Sequence, residues 1–180
     1  MTIEEKVRAA RNTSTPPEAL AALSRDKNDD VRCSVALNPS APSEVLSQLV
    51  RDEDDYVRLY VALNPSTPPE TLAQLSRDKD NDVRRHVAEN PSTLPEILGA
   101  LSRDKDTEVR RYVAQNPSAP PEVLATLSRD KDDDVRWCVA QNPSTPLELL
   151  LILMVDDNEY VRREAERNLN RRIQNIHQPE

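Results

Sequence analysis

The stretch Val57-Arg58-Leu59-Tyr60-Val61-Ala62-Leu63-Asn64-Pro65-Ser66-Thr67-Pro68-Pro69-Glu70-Thr71-Leu72 decides the fold. It carries two helical signals separated by a break. Val57 and Val61 stand one turn apart, behind a run of acidic residues of the kind that helix N-termini favour. The segment must stop at Asn64-Pro65, because the residue before a proline is pushed out of the helical region and proline has no N–H to donate. A second helix is predicted from Thr67, with Thr67 as cap, Pro68 at the first helical position, and Glu70 closing a capping box. Leu72 and Leu75 form its core face. Thr15/Glu18, Thr93/Glu96 and Thr145/Glu148 repeat the box, whereas Ala41 and Ala119 lack the hydroxyl, which predicts less sharply started helices there.

Working outward, Asn-Pro-Ser begins at Asn38, Asn64, Asn90, Asn116 and Asn142, at a constant interval of 26. Units therefore run Val31–Tyr56, Val57–Asp82, Val83–Glu108, Val109–Asp134 and Val135–Tyr160. The same step lands on Asn12 and Asn168, which are followed by Thr13 and Leu169 in place of proline. The predicted organisation is one solenoid domain over 1–180: a degraded N-terminal capping repeat (1–30), five full repeats (31–160) and a C-terminal capping helix (161–180). Four large aliphatics per unit cannot offset the conformational entropy of ordering it, so units must stack on their neighbours. The predicted fold is all-α with no β-sheet: a right-handed superhelical solenoid of 26-residue two-helix repeats, an α-helix alternating with a short α- or 3₁₀-helix.

The recurring Val-Arg, Val-Ala, Asn-Pro, Glu and paired Leu, in register from Asn12 to Asn168, resemble the leucine-rich repeat variant family. That resemblance implies units alternating an α-helix with a 3₁₀-helix. Some members carry an N-terminal cysteine cluster that holds an iron-sulfur centre. Here the cysteines are Cys33 and Cys138 alone, so that role does not carry over, and no cofactor is expected.

Composition narrows the function further. One Gly leaves no phosphate-cradling loop, and the histidines are His86 and His177 alone, so catalysis finds little support. The net charge of -8 has the wrong sign for a general nucleic-acid binder. The N-terminus lacks a basic start and an apolar run, and the apolar stretch Leu149–Val155 falls short of a membrane span, so a cytoplasmic protein is expected. The acidic loop Asp78-Lys79-Asp80-Asn81-Asp82 echoes a calcium loop, but Val83 stands where the sharp turn needs glycine. Arg32, Arg58, Arg84, Arg110, Arg136 and Arg162 form a ladder best partnered by Asp26, Asp52, Asp78, Asp104, Asp130 and Asp156. The asparagine column reads as buried amides bonding loop backbone.

What varies is the first helix. At about 100° per residue its third position points outward (Cys33, Leu59, Arg85, Arg111, Trp137), and its seventh leans outward (Leu37, Leu63, Glu89, Gln115, Gln141). The fourth lies on the flank (Ser34, Tyr60, His86, Tyr112, Cys138). Aromatic and arginine residues in such columns favour a partner surface. The predicted contacts to a protein or peptide are Leu59, Tyr60, Arg85, His86, Glu89, Arg111, Tyr112, Gln115, Trp137 and Gln141. The partner would carry an acidic feature for Arg85 and Arg111 to fork. The other functional readings are an accessory repeat subunit of an enzyme or redox system and, disfavoured by the net charge, a nucleic-acid binder using the arginine ladder. In the last unit Leu151, Ile152, Met154 and Val155 replace upstream polar or small residues. Val161, Ala165, Leu169, Ile173 and Ile176 then mark one face of a long helix, read as a cap packing on the array, with a homodimer contact as the alternative. Arg162, Arg163, Arg167, Arg171 and Arg172 read as its solvated face.

Overall fold

The computed structural model describes residues 1–176, the side chains of 175 and 176 excepted, so the side chain of Ile176 and all of His177 lie outside the described residues. Among the described residues there are thirteen α-helices and no strand. They fall into two compact units, Met1–Ile97 and Leu98–Glu180.

The first unit contains α1 (Ile3–Arg11), α2 (Pro17–Leu23), α3 (Asp29–Leu37), α4 (Ser43–Leu49), α5 (Asp55–Leu63), α6 (Pro69–Leu75) and α7 (Asn81–Glu89). The boundary falls within α8 (Pro95–Leu101). The second holds α9 (Thr107–Gln115), α10 (Pro121–Leu127), α11 (Asp133–Gln141), α12 (Leu147–Leu153) and α13 (Glu159–Ile176). Odd-numbered helices lie side by side: α1 on α3, α3 on α5 and α5 on α7 in the first unit, and α9 on α11 and α11 on α13 in the second. The fold is thus an all-α solenoid of 26-residue two-helix repeats. Both helices of each unit are α-helical, so the 3₁₀ alternation implied by the family resemblance is replaced by nine-residue and seven-residue α-helices.

The nine-residue helices α3, α5, α7, α9 and α11 each start on an Asx cap. Asp54 Oδ1 accepts the Val57 N–H at 3.2 Å, and Asn28, Asp80, Asp106 and Asp132 do the same one repeat apart. These five end at the asparagine before proline, whose backbone is extended. Val57, Val61, Ala62, Leu72 and Leu75, with their counterparts, supply the dry core. Among the described residues there is no positive-φ residue and no cis peptide.

The predicted capping boxes are not formed. Pro68 is the cap of α6 and Pro69 its first residue, and no side chain caps it. Thr67 is buried, and its hydroxyl donates backward to the Val61 carbonyl at 2.6 Å. Thr15, Thr93 and Thr145 repeat this bond to Ala9, Val87 and Val139. A proline two residues into the turn fixes the chain where the hydroxyl faces the orphaned last-turn carbonyls, not the next helix's N–H groups. Ala41 and Ala119 accordingly leave α4 and α10 as long as the others. A true capping box occurs once among the described helices, between Thr2 and Glu5 of α1.

Candidate functional site: the face of the first helices

Two polar ladders hold the frame on which this face is built. Four of the ladder arginines reach an aspartate twenty residues on: Arg32 Nε–Asp52 at 2.7 Å, Arg58–Asp78 at 2.7 Å, Arg110–Asp130 at 2.6 Å and Arg136–Asp156 at 2.7 Å, while Arg162 donates to the Asp156 and Asp157 carbonyls. The Nη2 atoms of those four close the second prong of the fork. Arg58 Nη1 also donates to the Asp52 carbonyl at 2.8 Å. Lys6 stands at the same register in α1 and pairs with Asp26 at 2.6 Å, a first rung that the sequence reading passed over. The guanidinium of Arg136 and the Asn158 N–H hold the Asp156 carboxyl below the usual range against the opposing effect of burial. For Asp78 and Asp130 burial is the largest influence and pushes upward, yet the arginine and a backbone N–H together win and the net direction is down.

The asparagines form the second ladder. Asn64 Nδ2 donates to the carbonyls of Ala36 at 2.6 Å and Asn38 at 2.9 Å, while Oδ1 accepts the Ser66 N–H at 2.8 Å. Asn38, Asn90, Asn142 and Asn168 make equivalent pairs of bonds. Both ladders are structural, as the sequence predicted.

The variable columns sit lower than expected. Cys33, Leu59, Arg85, Arg111 and Trp137, predicted to point freely outward, are all half-buried. Neighbouring nine-residue helices cover one another's flanks, a distance that the pattern of one helix does not contain. Arg85 pairs with Asp82 at 3.1 Å, and Arg111 pairs with Glu108 and lies 5.7 Å above the Tyr112 ring. Arg111 Nε is buried with no acceptor among the described residues. The two arginines are therefore engaged by their own helices and are not open forks for a partner's carboxylate. Tyr60, His86 and Tyr112 are half-buried, with His86 Nδ1 donating to the Asp82 carbonyl at 2.7 Å and Nε2 lying 4.0 Å from Glu89. Glu89, Gln115 and Gln141 are exposed, and Gln115 Nε2 reaches Cys138 Sγ at 3.2 Å. Cys138 is buried, and burial pushes both thiols up, Cys33 to about 12.

Of the predicted contact residues, Trp137 and Tyr60 line hollows. Trp137 shares an open cleft of about 490 Å³ with Asp133, Asp134, Asn158 and Tyr160. Tyr60 shares one of about 220 Å³ with Arg11, Asp29, Asp30, Cys33, Ser34, Leu37 and Tyr56. Tyr56 and Tyr160 are 61% and 70% exposed, and sequence reasoning missed them. They occupy the position just before the first valine of a unit, itself a variable column (Asp30, Tyr56, Asp82, Glu108, Asp134, Tyr160), and that variation was the available signal.

The C-terminal helix departs from expectation. Val161 and Ala165 are fully buried and Leu169 is half-buried, but Ile173 is exposed. Its arginines are largely paired: Arg167 and Arg171 flank the buried Glu164 at 2.8 and 2.6 Å, and Arg172 donates to Asn168 and to the Pro143 carbonyl. Leu151 (52%), Ile152 and Val155 (79%) stay open to solvent, because α13 runs straight through the register at which another seven-residue helix would begin.

Among the described residues no helix is long and apolar enough to cross a membrane. No curated protein sequence matches the chain. The Leucine Rich Repeat Variant domain pattern matches residues 57–116, and the Leucine rich repeat variant pattern matches 29–54 and 107–132, together more than half of the chain. A solved structure described as a leucine-rich repeat variant with a novel repetitive structural motif is 32% identical, with a TM-score of 0.69 over 91% of this chain and 64% of that one. This chain thus spans less than two thirds of that relative's length. The Escherichia coli protein YibA (21% identity, TM-score 0.56, 98% of this chain and 79% of that one) and an engineered protein (22%, 0.51, 91% and 62%) share the fold alone. The chain belongs to the leucine-rich repeat variant family.

Proposed function

We propose that the chain is a non-catalytic scaffold, free of cofactor, that binds a protein or peptide segment on the faces of its nine-residue helices. Leu59, Tyr60, Arg85, His86 and Glu89 serve in the first unit, and Arg111, Tyr112, Gln115, Trp137 and Gln141 in the second. The observation that carries this reading is Trp137 beside solvent-exposed Tyr160 in an open cleft, since large aromatic surface left wet is the usual anchor of an interface. Residues 1–30 and 161–180 act as caps on the repeats of 31–160. Peptides selected from a displayed random library on the full chain test the reading. They should lose binding to the variant Glu89→Ala, Trp137→Ala, Gln141→Ala and keep it on Gln48→Ala, Gln74→Ala, which alters exposed positions on other helices. Equal binding to both variants removes the face from consideration.

A second reading, self-association through the last repeat, is favoured by the exposed Leu147, Leu151, Ile152 and Val155 of α12 and the turn that follows it. Sedimentation equilibrium would decide it: a dimer that Leu151→Ser with Val155→Ser dissolves supports this reading, and a monomer at all concentrations ends it.

A further inference from the structure

The cleft at Trp137 and the hollow at Tyr60 are the same construction four repeats apart. Asp29, Asp30 and Tyr56 become Asp133, Asp134 and Tyr160, each 104 residues later by the numbering, and Cys33 becomes Trp137. In both places two first-turn carboxylates of one helix face a tyrosine of the next. The difference lies in the cation. The first hollow includes Arg11, the last residue of α1, so this chain supplies a guanidinium among its own carboxylates and aromatic rings. The residue at the same register in the second unit is Gln115, which is uncharged and turned toward Cys138 Sγ.

The second cleft is therefore the larger, gains an indole wall, and has no basic residue in its lining among the described residues. Asp133 accepts from the Asn158 amide, whereas no donor reaches the Asp134 carboxylate among the described residues. The neighbouring Arg111 is spent on Glu108. Two aromatic side chains beside the Asp134 carboxylate suit a planar cation, which can stack on a ring and fork a carboxylate at once.

We propose that the cleft formed by Asp133, Asp134, Trp137 and Tyr160 receives an arginine side chain of a partner polypeptide, taking the place that Arg11 fills in the first unit. This rests on the binding face described above and names the chemistry of its partner, which is basic at this point and not acidic. Trp137 and Tyr160 hold the guanidinium by its faces, and Asp134 takes its N–H edge. Gln115 leaves the site vacant for a group from outside.

Trp137 is the one tryptophan of the chain, so its emission reports the cleft directly. The test titrates the full chain with a short blocked peptide holding one arginine flanked by alanines, with lysine and glutamate counterparts. The arginine peptide should change the emission saturably, the lysine peptide more weakly, and the glutamate peptide not at all. Tyr160→Ala and Asp134→Asn should each weaken the arginine peptide about tenfold, the loss expected for one cation–π or charge-assisted contact. Gln115→Arg should also weaken it, because the chain then fills its own cleft. Circular dichroism checks that each variant keeps its fold. The proposal is overturned if the arginine peptide gives no saturable change, or if all three folded variants bind it as the wild type does. A saturable response to the glutamate peptide alone would sink this assignment and leave the binding face standing, whereas library peptides indifferent to the face variant would sink the face itself.

Discussion

Arg136 grips Asp156 by two prongs, Nε at 2.7 Å and Nη2 at 3.0 Å, across the twenty residues that separate a repeat's first helix from the loop that closes the same repeat. Both side chains are nearly buried, so removing one partner strands the other. Asp156→Asn should cost about 3 kcal/mol in urea denaturation. The Asp156 carboxyl is depressed in the folded state, so its contribution is complete above the unfolded value of about 4 and disappears as pH falls through the lower folded value. The wild type should therefore lose melting temperature steeply below about pH 4, and Asp156→Asn should show a shallower loss over that window. Parallel curves would mean that the pair carries no linkage.

Asn142 donates to the Ala114 carbonyl at 2.7 Å and to the Asn116 carbonyl at 3.0 Å, both out of water's reach. Asn142→Ala strips the Ala114 carbonyl of its donor, at about 1 to 3 kcal/mol, while the Asn116 carbonyl keeps the Ala119 N–H at 3.0 Å. Asn142→Asp should be worse at neutral pH, because a carboxylate would face the same two oxygens without a proton to offer. Denaturation midpoints of the two variants give the order.

Gly99 has ordinary helical geometry, and a methyl group placed on it would meet Val123 Cγ2 at 3.8 Å, normal contact distance. The matching positions in other repeats are Ala21, Ser47, Ala73, Ala125 and Leu151. Gly99→Ala should raise stability by about 0.5 to 1 kcal/mol, the helix-interior cost of glycine relieved without strain. Leu98→Ala, one residue earlier at a fully buried position, should instead lose about 2 to 5 kcal/mol. Calorimetry on both variants compares space with its absence at adjacent sites.

Cys33 is pushed up to about 12 by burial first and by nearby aspartates second, and Cys138 is raised as well. At pH 8 the native thiolate fraction at Cys33 should be lower by about a thousandfold than for an unfolded thiol. Alkylation followed by mass spectrometry should therefore find Cys33 slow in buffer and fast in urea. Rapid native labelling would place it in a more open setting.

The ladders were legible because one repeat writes each rung: Asn64 and Arg58 recur at a fixed step, and a polar column inside an apolar repeat must satisfy itself. Thr67 was misread because a threonine before two prolines has the same local signature whether its hydroxyl accepts from the next helix or donates to the last. The half-burial of Leu59 and Arg111, and the meeting of Trp137 with Tyr160, were out of reach for another reason. They depend on how closely two neighbouring helices approach, and no single helix encodes its neighbour's distance.

The asparagine rungs also make the length of this chain quantised. Asn168 bonds to Ala140 and Asn142 in the way that Asn142 bonds to Ala114 and Asn116. Excising residues 117–142 would rejoin Asn116 to Pro143 and offer Asn168 the very carbonyls that Asn142 had held. A cut whose length is not a multiple of 26 would leave an amide out of register with its acceptors. The protein can thus be lengthened or shortened by whole repeats with every rung kept, whereas a change of a few residues between two rungs takes an amide out of step with its carbonyls.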